Sequence, residues 1–249
     1  MPDGTAIDRT AEETAEPAAA QLDSASKLFG DFAALRKVSL RFAAGSSTVI
    51  LGDNGAGKST LLRLIAGLIV PSRGTVFTFG EEPRNQRHRI AYMSHEPMLY
   101  DELSGLENLR YFASLHTNAS SQTACKCTGV SERALRAVGL DPALSRPVGH
   151  YSQGMRQRAS LARVLQADPE LLLLDEPFSN LDVESSRRMV ELLRDFRTWP
   201  LQGTSKQCSR TIILTTHQAH LAEPLADATV TMRAGAVLSI AGQGVHSSA

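Results

Sequence analysis

The string GDNGAGKST at Gly52 to Thr60 constrains the fold of this chain more than any other feature. Ser47 to Leu51, just before it, is short and apolar, which is typical of a buried strand. Just after it, leucine and isoleucine recur at helical spacing from Leu61 to Leu68. A glycine-rich turn between a strand and a helix presents backbone N–H groups to phosphate oxygens. The sequence therefore predicts an α/β fold with an anion-binding turn at the carboxyl end of a buried strand.

This string fits the nucleotide-binding pattern G-x-x-x-x-G-K-[ST]. Lys58 would place a positive charge beside the β- and γ-phosphates, and the Ser59 hydroxyl would be a ligand for Mg²⁺. An ordinary glycine-rich turn is the alternative, and it loses weight because two further strings complete a nucleotide site. The residues expected to hold the triphosphate are Gly52, Asp53, Asn54, Gly55, Ala56, Gly57, Lys58, Ser59 and Thr60.

Two carboxylates end a second apolar run, LLLLDEP at Leu171 to Pro177. Four successive leucines are typical of a parallel strand buried on both faces, which would place the acids at its carboxyl end. Asp175 is expected to be a direct or outer-sphere Mg²⁺ ligand, and Glu176 to orient and deprotonate the attacking water. Two solvated acids are the alternative. A further buried strand, Thr211 to Thr216, argues against it, because its end brings His217 to the same edge.

The segment YSQGMRQRASLARVLQADPELLLLDEPFSNLD, from Tyr151 to Asp182, resembles the signature region of ABC-type ATPases. In that family a serine and a glycine open a helix aimed at the γ-phosphate, and Ser152 can cap such a helix. The resemblance extends from Ala25 to Ile240 and implies hydrolysis of ATP with Mg²⁺ as cofactor. It assigns adenine stacking to Phe29 and a γ-phosphate contact to His217. It assigns the partner's phosphate to Ser152, Gln153 and Gly154, and the loop that crosses to a partner subunit to Ser179 through Asp182.

The same resemblance implies an architecture. It is a P-loop NTPase core of the ABC-ATPase type, with a mixed central sheet and flanking helices, an antiparallel β part and an inserted helical subdomain. The nucleotide-binding domain is expected at residues 22–241, with the helical subdomain at roughly 95–160. Residues 1–21 are rich in Ala, Glu and Thr and are expected to form a disordered tail. Residues 242–249 are expected to form a flexible C-terminal tail.

Local signals within the helical subdomain are limited. Ser104 and Glu107 form a possible capping box that would open a helix running through Leu115. Thr117 to Gly129 and Pro200 to Ser209 are polar and contain glycine and serine, which favours surface insertions.

One position departs from the family pattern in a way that affects chemistry. ABC ATPases ordinarily place a glutamine after the strand that here spans Ile90 to Met93, where it reaches Mg²⁺ and the attacking water. This chain has His95 there, and the nearby glutamine, Gln86, precedes the strand. A neutral imidazole can accept a hydrogen bond or bind metal as an amide oxygen does. His95 is therefore expected to keep the catalytic and metal-binding roles and to make them sensitive to pH.

Four short strings together resemble the ATPase subunit of the haem exporter of cytochrome c maturation. They are HEP at 95–97, SQGMRQR at 152–158, DEPF at 175–178 and TTHQ at 215–218. Each string alone is weak, because drug, lipid and sodium exporters share some of them. An exporter of drugs, lipids or ions is the alternative within transport. Outside transport, the alternative is a soluble ABC ATPase that acts on nucleic acid or ribosomes, although the two cassettes or long coiled-coil insertion usual in such proteins are not visible.

Charge and apolar content limit the partners. The 26 Lys and Arg balance the 26 Asp and Glu, so the chain lacks the basic excess expected of a nucleic-acid partner. No apolar stretch approaches the length of a bilayer span, and the N-terminus lacks a secretory pattern. We expect a protein bound peripherally to the cytoplasmic face of the cell membrane through an integral membrane permease. With one phosphate turn and one signature, it is expected to pair with a second copy of itself in a nucleotide-sandwich dimer.

The cysteines carry a weaker signal. Cys125 and Cys127 form a C-x-C pair with His116 upstream. Two thiols lack the ligand count of a structural zinc site, so an exposed turn is favoured over a metal or haem site. With Cys208 the number of cysteines is odd, which suits a reducing compartment better than a disulfide framework.

Overall fold

A computed structural model describes residues 18–116, 123–199 and 210–247 of the 249-residue chain. Strands and helices alternate along much of its length. In chain order they are β1 (Ala18–Phe29), β2 (Phe32–Ala43), β3 (Ser47–Leu51), α1 (Lys58–Ile65), β4 (Arg73–Thr78), β5 (Ile90–Met93), α2 (Gly105–His116), α3 (Thr123–Ala137), α4 (Gln153–Leu165), β6 (Leu171–Asp175), α5 (Val183–Thr198), β7 (Thr211–Thr216), α6 (Ala219–Ala222), β8 (Ala228–Arg233), β9 (Ala236–Gly242) and β10 (Val245–His246).

The larger sheet has six strands in the order β5-β6-β7-β3-β8-β9. The first five are parallel, and β9 runs antiparallel to β8. Strand β6 is buried along its whole length, which explains why its leucines show no polar alternation. Because parallel strands end at one edge of a sheet, the loops after Leu51, Met93, Asp175 and Thr216 meet there. That edge contains the predicted functional side chains.

A second, antiparallel sheet has the order β10-β2-β1-β4. Successive residues of the larger sheet point to opposite faces, so Val49 and Ile50 enter different apolar cores. One core lies between the two sheets and encloses α1, whereas the other lies under α3, α4 and α5. The mixed sheet, the antiparallel part and the helical part confirm the predicted fold class.

Both predicted tails are shorter than the sequence suggested. Ala20 pairs with Thr78, and Gln21 pairs with Arg41 on the other side, so residues 18–21 belong to β1 and their assignment to a tail was wrong. At the other end, Val245 pairs with Phe42, so β10 interrupts the tail predicted at 242–249. Residues 1–17 and 248–249 lie outside the described residues.

The predicted capping box opens α2. The Glu107 backbone N–H donates to Ser104 Oγ over 3.3 Å, and the Ser104 backbone N–H donates to Glu107 Oε2 over 2.8 Å. The Ser104 hydroxyl bond lowers the pKa of Glu107 below its ordinary value. Residues 123–129 are helical in α3, so Cys125 and Cys127 lie in a helix and not in the predicted turn, whereas the surface position predicted for this segment stays a prediction. Residues 117–122, the predicted insertion at 200–209 and Cys208 lie outside the described residues.

Among the helices that the structure describes, none is both long and apolar enough to cross a membrane.

Candidate functional site

A cavity of about 860 Å³ opens where the parallel strands end. It is bounded by the phosphate turn, by the loop after β5, and by the residues that follow β6 and β7. The predicted site residues that line it are Asp53 to Thr60, His95, Asp175, Glu176 and His217. Four segments far apart in the sequence therefore meet in one site.

The phosphate turn has the backbone that an anion site needs. Gly57 precedes α1 with a φ of 98°, and a Cβ there would lie 2.5 Å from the Ala34 carbonyl oxygen. A side chain at this position would therefore clash as well as strain the backbone. No side chain caps α1, so its first N–H groups are free of a side-chain acceptor. Lys58 folds over the turn and donates to the carbonyl oxygens of Gly52 (2.6 Å) and Asp53 (3.3 Å).

Asp175 is a buried carboxylate, 1% exposed, that accepts hydrogen bonds from three hydroxyls. Its Oδ1 accepts from Ser59 Oγ at 3.0 Å and from Thr215 Oγ1 at 2.8 Å. Its Oδ2 accepts from the Tyr92 hydroxyl at 3.2 Å. Sequence reasoning predicted Asp175 and Ser59 but missed Tyr92, whose position in an apolar strand gave no chemical signal.

Glu176 lies between a cation and an imidazole. Lys58 Nζ is 3.5 Å from Glu176 Oε1, and His217 Nδ1 is 3.0 Å from Oε2. The φ of Glu176 is 52°, which is uncommon for a residue other than glycine and is found most often at functional sites. The backbone is held there because the Glu176 N–H donates to Thr215 Oγ1 (3.1 Å) and the buried Gln157 amide donates to the Glu176 carbonyl oxygen (3.3 Å). Gln157 belongs to the signature helix α4, so that helix supports the turn that carries Glu176.

Tyr92 also links the carboxylate to Arg63, which lines the cavity. Burial raises the pKa of Tyr92 to about 12, and the Asp175 charge acts in the same direction. The phenol therefore remains a hydrogen-bond donor at neutral pH. The hydrogen bond with Tyr92 in turn raises the pKa of Arg63. Arg63 had no assigned role at the sequence level.

His95 lines the same cavity, in the loop two residues beyond β5. In that loop Ser94 Oγ donates to the Glu96 carbonyl oxygen over 2.5 Å, which tightens the turn. The position agrees with the predicted one, and the catalytic and metal-binding roles of His95 remain predictions.

Comparison with known proteins decides the family. Residues 35–179 match the model of the ABC transporter family. The chain is 33% identical over 210 residues to the ABC transporter ATP-binding protein NatA of Bacillus subtilis, covering 82% of this chain and 80% of that protein. This chain belongs to the ABC transporter family. It is an ATP-binding subunit and, by its family, an ATP hydrolase.

Other relatives of this ABC ATPase are named for the import or the export of different compounds. It is 36% identical over 198 residues to the fluoroquinolones export ATP-binding protein of Mycobacterium tuberculosis, covering 78% of this chain and 60% of that protein. It is 34% identical over 223 residues to the sulfate/thiosulfate import ATP-binding protein CysA of Synechococcus elongatus, covering 88% and 61%. The chain thus spans about three fifths of these two relatives.

Solved structures agree on the fold. An ATP-binding subunit of an ABC transporter matches with a TM-score of 0.73 at 28% identity, over 90% of this chain and 89% of that one. A dimeric ATP-binding cassette in a post-hydrolysis state, bound to ADP and Pi, matches with a TM-score of 0.76 at 22% identity, over 90% and 98%. The second likeness shows the shared fold alone.

The signature residues of this ABC ATPase lie outside its own cavity. Ser152 is exposed and caps α4, because its Oγ accepts from the Met155 N–H at 3.2 Å. Gln153, also exposed, and Gly154 open the same helix. Asp182 caps α5 through a 2.7 Å bond from the Ser185 N–H, and that bond lowers the pKa of Asp182.

The aromatic residue at the cavity differs from the predicted one. Phe29 is 50% exposed, lies beneath the Lys27 ammonium at 5.2 Å, and does not line the cavity. Phe32, its cross-strand partner in the β1–β2 hairpin, is 63% exposed and does line it. Phe32 is therefore a second candidate for contact with a base, and the adenine-stacking role of Phe29 stays a prediction.

The donor set suits Mg²⁺. Ser59 and Asp175 offer a hydroxyl and a carboxylate, and Mg²⁺ prefers such oxygen ligands completed by water and phosphate oxygens. Across the described residues there is no group of three or more His, Cys, Asp or Glu side chains that could hold a metal. Because Mg²⁺ is usually held by one or two protein ligands together with substrate phosphates, the ion would be bound together with the nucleotide.

Proposed function

We propose that this chain is the ATP-hydrolysing, Mg²⁺-dependent subunit of an ABC exporter and works with a separate membrane permease. The observation that carries the proposal is the meeting of Lys58, Asp175 and Glu176 in one cavity beside the phosphate turn. A cation, a buried carboxylate and a general base in this arrangement are the groups that phosphoryl transfer to water requires.

The geometry suggests how the residues act. Lys58 Nζ lies 3.5 Å from Glu176 Oε1, and a triphosphate would offer Lys58 a more strongly charged partner. Moving Lys58 to the β- and γ-phosphates leaves Glu176 free to accept a proton from water. His217 Nδ1, 3.0 Å from Glu176 Oε2, orients that carboxylate, and because His217 lines the cavity we assign it a contact with the γ-phosphate. Mg²⁺ held by Ser59, with Asp175 behind it, would neutralise charge on the phosphate oxygens.

A second copy would complete the site. Ser152, Gln153 and Gly154 begin a helix whose exposed N-terminus suits an anion, although the cavity of the same chain does not include them. We assign them to the γ-phosphate bound by the partner copy, with Asp182 in the loop that crosses to it. ATP would then lie between two copies, and hydrolysis would let them separate.

An exposed apolar patch offers a place for the permease. We define the docking patch as Met98, Tyr100, Tyr111 and Leu115, which are 40–63% exposed. The Tyr100 and Tyr111 rings pack edge to face at 5.0 Å, so the patch is ordered. It adjoins the His95 loop, which also lines the cavity, so a partner bound there would contact a segment that responds to nucleotide. This supports peripheral attachment to the cytoplasmic face of the membrane.

For the cargo we propose haem, supplied to cytochrome c maturation. The support is the combination of His95-Glu96-Pro97 with the SQGM, DEPF and TTHQ strings. Drugs, lipids or ions are the alternative cargo, and the named relatives include both an exporter and importers. A non-transport ABC ATPase is disfavoured by the neutral net charge.

The test has two stages. Purified protein should release phosphate from Mg-ATP, and Glu176→Gln should not. Deleting the gene in its host should then remove covalently haem-stained c-type cytochromes, with restoration by the wild-type gene and not by Glu176→Gln. Normal c-type cytochromes in the deletion strain would contradict the haem assignment and leave the ATPase assignment to the phosphate assay.

A further inference from the structure

We infer that Tyr92 is a positioning residue for Asp175. The inference rests on the proposed Mg²⁺ site, because Tyr92 would affect the binding of Mg²⁺ and not the binding of ATP alone. It adds a third hydroxyl to the two that already contact this carboxylate.

The hydrogen bonds divide between the two carboxylate oxygens. Oδ1 of Asp175 accepts from Ser59 and Thr215, at 3.0 and 2.8 Å. Oδ2 accepts from Tyr92 at 3.2 Å. A carboxylate bonded through one oxygen can still rotate, whereas bonds to both oxygens fix its plane. The hydrogen bond from Tyr92 to Oδ2 therefore keeps Oδ1 directed at Ser59.

The orientation matters because Ser59 has two tasks. The Ser59 hydroxyl donates a hydrogen bond to Asp175, which leaves the lone pairs of its oxygen free for Mg²⁺. If Asp175 turns, Ser59 loses the acceptor that aims its lone pairs. Outer-shell partners of metal ligands typically contribute 10- to 100-fold in metal affinity.

The position of Tyr92 is fixed by strand pairing. Tyr92 pairs in register with Leu173 of β6, two residues before Asp175 at the end of that strand. From this neighbouring strand the Tyr92 hydroxyl donates to Asp175 Oδ2. The parallel pairing therefore holds the phenol beside the carboxylate.

The test is Tyr92→Phe, which removes one oxygen atom. ATP binding is measured calorimetrically in EDTA and again at increasing MgCl₂. We expect affinity in EDTA within twofold of wild type, and a Mg²⁺ concentration for half-maximal enhancement raised about tenfold. Thr78→Val is the matched control, since it removes a buried hydroxyl that donates to the Ile65 carbonyl oxygen at the far end of α1. Its Mg²⁺ dependence should equal that of wild type.

An unchanged Mg²⁺ dependence in folded Tyr92→Phe would overturn the inference, as would an equal shift in Thr78→Val. If circular dichroism shows that Tyr92→Phe is unfolded, Tyr92→Leu, which also lacks the hydroxyl, decides. A shift of threefold or more in the same direction supports the inference, and no shift overturns it. Failure of the wild-type chain to bind ATP at any Mg²⁺ concentration would instead contradict the proposed function.

Discussion

The most specific prediction for a single residue concerns Glu176. Glu176→Gln keeps the size and hydrogen bonding of the side chain but loses the basic oxygen, so ATP binding should persist while turnover falls on the order of a hundredfold or more. Loss of the charge also frees Lys58 for the phosphates, so ATP affinity should not decrease. Phosphate release and nucleotide titration measure the two effects separately. Turnover within a few-fold of wild type would remove Glu176 from its role.

Lys58 should be required for ATP binding. The side chain is only 6% exposed and is bonded to two turn carbonyl groups, so Lys58→Ala should lower thermal stability as well as ATP affinity. ATP raises the melting temperature of a protein that binds it in the folded state. We expect this rise in wild type and its loss in Lys58→Ala, measured by calorimetric melting with and without ATP. An equal rise in both proteins would mean that the turn does not hold the nucleotide.

His95 offers a pH test. Protonation of an imidazole at this place would add positive charge beside the metal and remove an acceptor, whereas glutamine does not change charge. With the permease present, His95→Gln should retain ATPase activity, and its activity relative to wild type should increase as pH falls. Glu176 and His217 are present in both proteins, so the ratio isolates His95. Superimposable pH profiles would show that His95 has no catalytic role.

Local patterns predicted some site residues and not others. Lys58, Asp175 and Glu176 were predictable because a turn or a strand end places each of them within a few residues of a recognisable pattern. Tyr92 was not, because it meets Asp175 across 83 residues, and only the β5-β6 pairing makes them neighbours. Phe32 lines the cavity and its cross-strand partner Phe29 does not, a difference that no local pattern reveals because the direction of a hairpin side chain depends on the register of the two strands.

At the scale of elements, α2 should connect the cavity to the permease. Leu115→Asp places a charge in the docking patch, where Leu115 is 63% exposed, so stability and basal ATPase activity should change little. Co-purification of the permease from detergent-solubilised membranes should be lost. Leu238→Asp, on β9 and 66% exposed, is the control and should retain the permease. Equal recovery of the permease with both variants would place the interface elsewhere.

Elements with strong local signals were predicted well. The capping box at Ser104 and the cap at Ser152 start helices where expected, because the cap and its N–H partner are three residues apart. Residues 18–21 were assigned to a tail because the N-terminal stretch is rich in Ala, Glu and Thr, yet Ala20 and Gln21 pair with a strand on both sides. Strand β10 has two residues and depends on its pairing with β2, which no local pattern reveals.

The complete nucleotide site requires two copies of the chain. Each chain carries one phosphate turn and one signature helix, and its own signature residues do not line its cavity. ATP bound between two copies should therefore hold them together, and hydrolysis should release them. In this scheme ATP favours the closed pair because it contacts both chains there and one chain in the open state.

Sedimentation velocity of Glu176→Gln with saturating Mg-ATP tests directly whether two copies share the nucleotide. If the site is shared, Glu176→Gln should sediment as a species of twice the 26.9 kDa of one chain, and this species should persist because the nucleotide is not hydrolysed. Wild type with ADP should sediment as one chain, and Ser152→Arg in the Glu176→Gln background should do so even with ATP. A Glu176→Gln protein that binds ATP by titration yet sediments as a single chain would contradict the shared site.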